Sequence, residues 1–241
     1  SLGHTFDEII VGETRHIMVI TVYKIDASPP ARAVLMTVEL LGLQIETKEV
    51  NTLAKEQFAP EYLEKNPTHT IPIIEDGDFI LADSHAILTY LVSKYGAELR
   101  ATLYPVDLRI RATIDHRLYV DATLVFPKIR ELVISVLMKK ASGPDAEQTA
   151  AVLESYGFLE KFLERSPFLA ANHITVADIS AVSTVSSLHV FVPVDADKFP
   201  KITEWWDKIK AKDWYQKANL PGLTQFEGFL KTAMEQNSKS G

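Results

Sequence analysis

Residues 18–24 are apolar and β-branched, and within a few positions they run into Ser28-Pro29-Pro30, a helix-start signal. No other feature restricts the fold as much. Serine caps a helix, and proline fits the first turn because its missing N–H would have no partner there. Apolar periodicity continues to Leu41, and Gly42 suits a C-cap. Residues 45–50 read as a second strand, so the chain opens with a βαβ crossover unit. Residues 56–66 are short and helical or irregular. Residues 71–75 and 79–81 flank Asp76-Gly77, the strongest hairpin signal in the sequence. Asp83-Ser84 then opens a helix through Ile87, Leu88 and Leu91 to Tyr95 and Gly96. The spacing predicts a βαβ-ββα domain over residues 18–96 and an aperiodic linker over 97–105.

From Asp107 onward the pattern is helical, with no further strand expected. Ile110, Ile114 and Leu118 mark one face of a long helix, and Pro127 inside that stretch bends it at a cost of about 3 kcal/mol. Ser142-Gly143-Pro144 breaks the chain before a helix over 145–165. Thr175-x-x-Asp178 is a capping box with Asp in place of Glu or Gln, stapled by Ile174 and Ile179, and it gives Asp178 a structural role. Further helices fit 200–211 and 213–219. The fold class is α/β plus all-α, with a helical bundle domain over 106–241.

Composition removes several functions. The 241 residues include no cysteine, so disulfides and cysteine–zinc sites are absent, and sulfur chemistry must borrow its sulfur from a ligand. A net charge of −7 gives no reason to expect nucleic acid or an anionic membrane as partner. The longest apolar runs, such as 132–138, fall far short of the ~20 residues that span a bilayer. Residues 1–17 lack the pattern of a secretion signal and read as an N-terminal extension or an added leader before Met18; a cytoplasmic protein is expected. The histidines show no metal-ligand spacing, and no glycine-rich phosphate loop is present, so no metal is expected.

Three motifs carry candidate chemistry, and each also has a plain structural reading. Ser28 is either an N-cap or a hydroxyl at a helix start, where free N–H groups and the helix dipole favour an anion such as a thiolate. In Asn66-Pro67-Thr68-His69-Thr70-Ile71-Pro72, Pro72 marks a strand edge or bend, or, with a cis bond, turns the Ile71 backbone toward a peptide-like ligand. In Asp83-Ser84-His85, a cap competes with a site for the α-carboxylate and α-ammonium of an amino acid.

Ser-Pro-Pro-Ala-Arg-Ala, Asn-Pro-x-His-Thr-Ile-Pro, Asp-Ser-His-Ala-Ile and Leu103-Tyr104-Pro105, in this order, resemble insect glutathione S-transferases of the delta and epsilon classes. Asp-Ser-His at 83–85 is closer to epsilon. The resemblance covers about Met18 to Phe229 and implies a thioredoxin-like first domain, a helical second domain, a homodimer and a role in detoxification. It implies that Ser28 hydrogen-bonds the glutathione sulfur, that Ile71 and Pro72 present backbone to the cysteinyl part, and that Asp83 and Ser84 hold the γ-glutamyl end. His69 and Thr70 would lie along the tripeptide, Arg130 would reach toward it from the second domain, and His85 would bind, cap or pack.

Gln57 stands where many epsilon members have a histidine for the glycyl carboxylate, which implies weaker tripeptide binding. Ala31 replaces the usual cysteine after Pro-Pro. Pro30, Ala122, Val125, Phe126, Ile129, Val133 and Met138 are candidates to line a hydrophobic electrophile pocket, with ordinary helix core as the alternative. Val133 and Met138 replace phenylalanines of some epsilon enzymes, and methionine re-packs easily. The expected activity is attack of a glutathione thiolate on a small hydrophobic electrophile; the alternative is a non-catalytic, glutathione-dependent carrier of ligands such as steroids. A thiol–disulfide oxidoreductase is disfavoured by the lack of cysteine.

Overall fold

The structure, a computed structural model, describes residues 19–240. The expectations for residues 1–17 and for Met18 lie outside the described residues. Strand β1 (Ile20–Lys24) is buried along its whole length because it is central in a four-stranded sheet of order β2-β1-β3-β4. It pairs in parallel with β2 (Ile45–Glu49) and antiparallel with β3 (Ile73–Asp76), which pairs antiparallel with β4 (Phe79–Ala82). Helix α1 (Pro29–Leu41) makes the β1–β2 crossover and ends at Gly42, which takes φ 64°, a left-handed conformation that glycine adopts without strain. Helix α2 (Pro60–Lys65) follows a single 3₁₀ turn, and α3 (Ser84–Tyr95) follows the hairpin.

The alternation of side chains along the strands sets two layers. Val22 and Ile74 belong to the same core as Val34, Met36, Ile87 and Leu91 of α1 and α3, and this core is continuous with that of the helical half. On the other face, Tyr23 and Ile73 meet Val50 and Tyr62 of α2 in a small cluster.

Residues 97–105 are more ordered than a linker. They form a 3₁₀ turn (Ala97–Leu99) and a short helix α4 (Arg100–Leu103), and Leu103 is buried. One turn is too short to produce a readable period. Helix α5 (Leu108–Val120) passes through a π-turn (Asp121–Val125) into α6 (Phe126–Leu137). Pro127 falls in the first turn of α6, so the bend expected there takes the form of a widened turn upstream of the proline.

Helices α7 (Ala146–Leu163), α8 (Val176–Phe191), α9 (Pro200–Lys210), α10 (Asp213–Ala218) and α11 (Leu220–Ser240) complete the described chain. α8 is buried on nearly all sides and packs against α1, α5, α6 and α11. The Asp178 carboxylate accepts the N–H of Thr175 (2.8 Å), the hydroxyl of Thr175 (2.9 Å), the N–H of Leu169 (2.8 Å) and the indole N–H of Trp205 (2.9 Å). Its structural role is therefore borne out. α11 lies beyond the helices expected over 200–211 and 213–219, and Pro221 occupies its first turn, where a missing N–H costs nothing.

Candidate functional site

The sheet register lines up the three motifs. Tyr23 of β1 pairs with Ile73 of β3, and Ile73 pairs with Ala82 of β4. The segments just beyond, toward Ser28, Ile71-Pro72 and Asp83, therefore leave three adjacent strands at one end of the sheet. At the usual strand spacing they span about 10 Å, a tripeptide's reach.

Ser28 holds the N-cap position of α1 with φ −72° and ψ 122°, but its hydroxyl makes no capping bond. The local sequence explains why. Pro29 and Pro30 occupy the first two helical positions and offer no N–H, so one of the two usual targets of a capping oxygen is missing. Its backbone N–H donates to the Ile25 carbonyl and its carbonyl accepts from Arg32, both at 3.0 Å, which holds the residue while leaving the half-buried hydroxyl unused. The prolines also thin the donor set at this helix start relative to a free helix N-terminus.

The Ile71–Pro72 peptide is cis. The ladder begins at Ile73, so the N–H and carbonyl of Ile71 lie outside it. The Thr70 carbonyl is fixed by the Tyr62 hydroxyl (2.7 Å) and the Asn66 amide (2.9 Å), and His69 is exposed with φ 48°. The ring of His69 stacks on Phe58 with centroids 4.7 Å apart, which brings the turn carrying Gln57 beside the loop. Gln57 Oε1 is buried without a partner.

Asp83 takes φ 72° and ψ 118°, an uncommon backbone for a residue with a Cβ. Its Oδ1 accepts the N–H of His85 (2.9 Å) and of Ala86 (3.1 Å), capping α3. The carboxyl is exposed, and the His85 side chain beside it, together with the helix N–H groups, holds it below the usual carboxylate range. Ser84, the first residue of α3, is buried. His85 links the halves of the molecule: its Nε2 lies 3.0 Å from Asp121 Oδ2 and its Nδ1 3.4 Å from Asp83 Oδ1. Burial opposes the imidazolium, but the carboxylates of Asp121 and Asp83 outweigh it and push its pKa up to about 9. Asp121, buried in the π-turn, also accepts the Ser180 hydroxyl of α8 at 2.6 Å. Asp121 and Ser180 escaped sequence reasoning. The available signal was an acidic residue inside the apolar stretch 118–126, and nothing local pointed to His85 as its partner, 36 positions away.

The apolar candidates divide. Val125 and Ile129 are 1% and 2% exposed and pack in the hydrophobic core, the alternative open to them in the sequence. Pro30, Ala122, Phe126 and Val133 retain partial exposure, whereas Met138, at 78%, stands out at the end of α6. Arg130 is exposed on α6 and makes no hydrogen bond or ion pair with the other candidates among the described residues. Among those residues no cluster of His, Asp or Glu is arranged to hold a metal, and no helix is long and apolar enough to cross a membrane.

A thioredoxin-like sheet carrying an unused hydroxyl, an off-ladder peptide and a strained acid at one end, joined to an all-helical half, defines the class of the glutathione transferases. The comparisons agree. Residues 22–99 match the family description "Glutathione S-transferase, N-terminal domain", and residues 119–213 match "Glutathione S-transferase, C-terminal domain". Glutathione S-transferase 1 of Manduca sexta is 42% identical over 207 residues, covering 85% of this chain and 94% of its own. An epsilon-class glutathione S-transferase from the housefly Musca domestica is 40% identical with a TM-score of 0.85, covering 89% of this chain and 98% of its own. A glutathione transferase homologue from Drosophila mojavensis, solved with bound glutathione, is 43% identical with a TM-score of 0.85, covering 89% and 97%. The chain belongs to the glutathione S-transferase family, among the insect enzymes of epsilon and delta type, and is a glutathione transferase.

Proposed function

We propose that Ser28 donates its hydroxyl to the sulfur of bound glutathione and stabilises the thiolate, which attacks hydrophobic electrophiles. The observation that carries this reading is the Ser28 hydroxyl itself, at the head of a 13-residue helix and without a capping bond. A free thiol with pKa ~8.5 is only a few per cent ionised at neutral pH. Lowering it by two pH units takes about 2.7 kcal/mol of preference for the thiolate, within reach of one charge-assisted hydrogen bond plus the helix dipole. The thiolate then forms a carbon–sulfur bond while the leaving group departs with its electron pair, as halide from an aryl halide.

Around that sulfur, the Ile71 backbone pairs with the cysteinyl unit. Asp83 Oδ2, free of the cap, receives the γ-glutamyl ammonium, and Ser84 meets its carboxylate. His69, Thr70 and Gln57 attend the glycyl end, where the Gln57 amide N–H can donate to the carboxylate. His85 holds Asp83, and Arg130 reaches in from α6. Pro30, Ala122, Phe126 and Val133 line the electrophile side, and Met138 covers its rim. In this reading residues 18–96 bind glutathione, 97–105 connect, and 106–241 supply the electrophile pocket.

A homodimer is supported by edge strand β4, whose Phe79 and Ile80 are exposed beside Tyr90 of α3. Detoxification in the cytoplasm completes the reading. The test is conjugation of glutathione to a generic aryl halide by wild type and Ser28→Ala. A fall of about 10- to 100-fold in kcat/KM is expected for the variant. Equal rates remove Ser28 from the mechanism, and a folded wild type that binds glutathione without turnover makes the protein a carrier.

A further inference from the structure

Besides its bonds within the first half, the loop that carries Ser28 is closely approached by the C-terminal helices. A Cβ placed on Gly222, in the first turn of α11, would stand 2.0 Å from the carbonyl oxygen of Asp26 and 2.8 Å from Cδ of Arg32. The first of these is backbone, which cannot swing aside as a side chain can. Asp26 precedes Ser28 by two residues; Arg32 follows it by four and lies one turn into α1.

Arg32 ties the other side of the loop to the same corner. Its guanidinium is fully buried and donates to Asn219 Oδ1 at 2.7 Å, to Ser186 Oγ at 3.5 Å and to the Ser187 hydroxyl. Asn219 is also fully buried and sits between α10 and α11. No carboxylate pairs with the guanidinium among the described residues, and burial pulls its pKa down to about 10, so it remains charged at neutral pH. A buried charge held only by neutral acceptors is expensive to move, because those acceptors must move with it.

We propose that Gly222 is a positioning residue for catalysis: the α10–α11 corner, through Gly222 against Asp26 and Asn219 against Arg32, sets the seat of Ser28. The proposal rests on the reading of Ser28 as the thiolate's hydrogen-bond donor. Alanine at 222 must open the 2.0 Å approach to an ordinary contact, which moves the loop or the helix by about 1 Å. A displacement of that size at a catalytic group costs up to about 100-fold in rate.

The test compares the full-length wild type with Gly222→Ala, Gly228→Ala and Ser28→Ala, reading Tm, kcat, KM for glutathione and the pH profile of kcat/KM. Gly228 lies on the same helix with open space around its Cβ position, so its alanine variant should match wild type in every kinetic readout. For Gly222→Ala the expected result is a kcat lower by about 10- to 100-fold, with KM for glutathione changed less than about threefold. The rising limb of the pH profile should move to higher pH in the direction that Ser28→Ala moves it.

A folded Gly222→Ala protein with wild-type kcat and pH profile, beside a Ser28→Ala protein that shifts both, overturns the positioning role and leaves Ser28 intact. If Ser28→Ala itself changes neither, the reading of Ser28 fails first and the proposal falls with it. Where Gly222→Ala does not fold, Asn219→Ser decides. It shortens the acceptor of Arg32, and a kcat lowered about threefold or more with the same pH shift supports the proposal, while an unchanged kcat overturns it.

Discussion

Of the aspartates at helix starts, those of α8 and α3 serve in opposite ways. At α8, Asp178 is fully buried and one carboxylate receives four donors from Thr175, Leu169 and Trp205. At α3, Asp83 is exposed, holds a positive φ, and spends one oxygen on the cap while the other carries no bond among the described residues. Saturation marks the structural acid. Asp83 instead combines backbone strain with unused hydrogen-bonding capacity, which supports its proposed ligand role. Ser28 extends the contrast, since it sits at a cap position without capping.

The largest effect should come from breaking the saturated site. Asp178→Ala leaves buried donors on three residues without an acceptor, at about 1–3 kcal/mol each, so thermal unfolding should show a loss of about 4 kcal/mol or more, or no folded protein. Wild-type Tm in this variant would erase the distinction. Asp83→Asn keeps the cap oxygen and removes the charge. It should raise KM for glutathione about tenfold or more while Tm moves by less than about 2 °C; a large Tm loss with unchanged KM would make Asp83 a second structural acid.

His85 joins Asp83 to Asp121 and gives a smaller, pH-dependent effect. Its pKa is raised in the folded protein to about 9 from an ordinary 6.5, so the folded state binds the proton more tightly. Its contribution to stability is complete below about pH 6.5 and is lost as pH rises through about 9. Unfolding measured from pH 6 to 10 should show that decline in wild type and a flatter curve in His85→Gln; parallel curves would contradict the Asp83–His85–Asp121 coupling. The smallest effect is expected from Gln57→His, which adds a charge-assisted donor toward the glycyl carboxylate and should lower KM for glutathione about two- to fivefold, as read by steady-state titration.

What could be read in the sequence was local. Ser28-Pro29-Pro30, Gly42, Asp76-Gly77 and Thr175-x-x-Asp178 act within a turn of themselves, and the βαβ unit, the hairpin and the helix ends follow from them. The same prolines that announced α1 also removed an N–H that a capping Ser28 would bind, a consequence visible only with the helix register in hand. Distant pairings were out of reach: Asp121 meets His85 across the two halves, and Gly222 meets Asp26 across nearly the whole chain. The apolar set after the π-turn shows the same limit. Val125 and Val133 are the same residue type eight positions apart, yet one fills the core and the other keeps an exposed edge.

Ionisation of the bound thiol can be followed by ultraviolet titration of thiolate in the binary complex with glutathione, for wild type and Ser28→Ala at saturating ligand. Wild type should bind glutathione largely as thiolate at neutral pH, and the variant should return the midpoint toward the ~8.5 of a free thiol. Identical midpoints in the two proteins, with glutathione bound in both, would contradict the thiolate-stabilising role of Ser28.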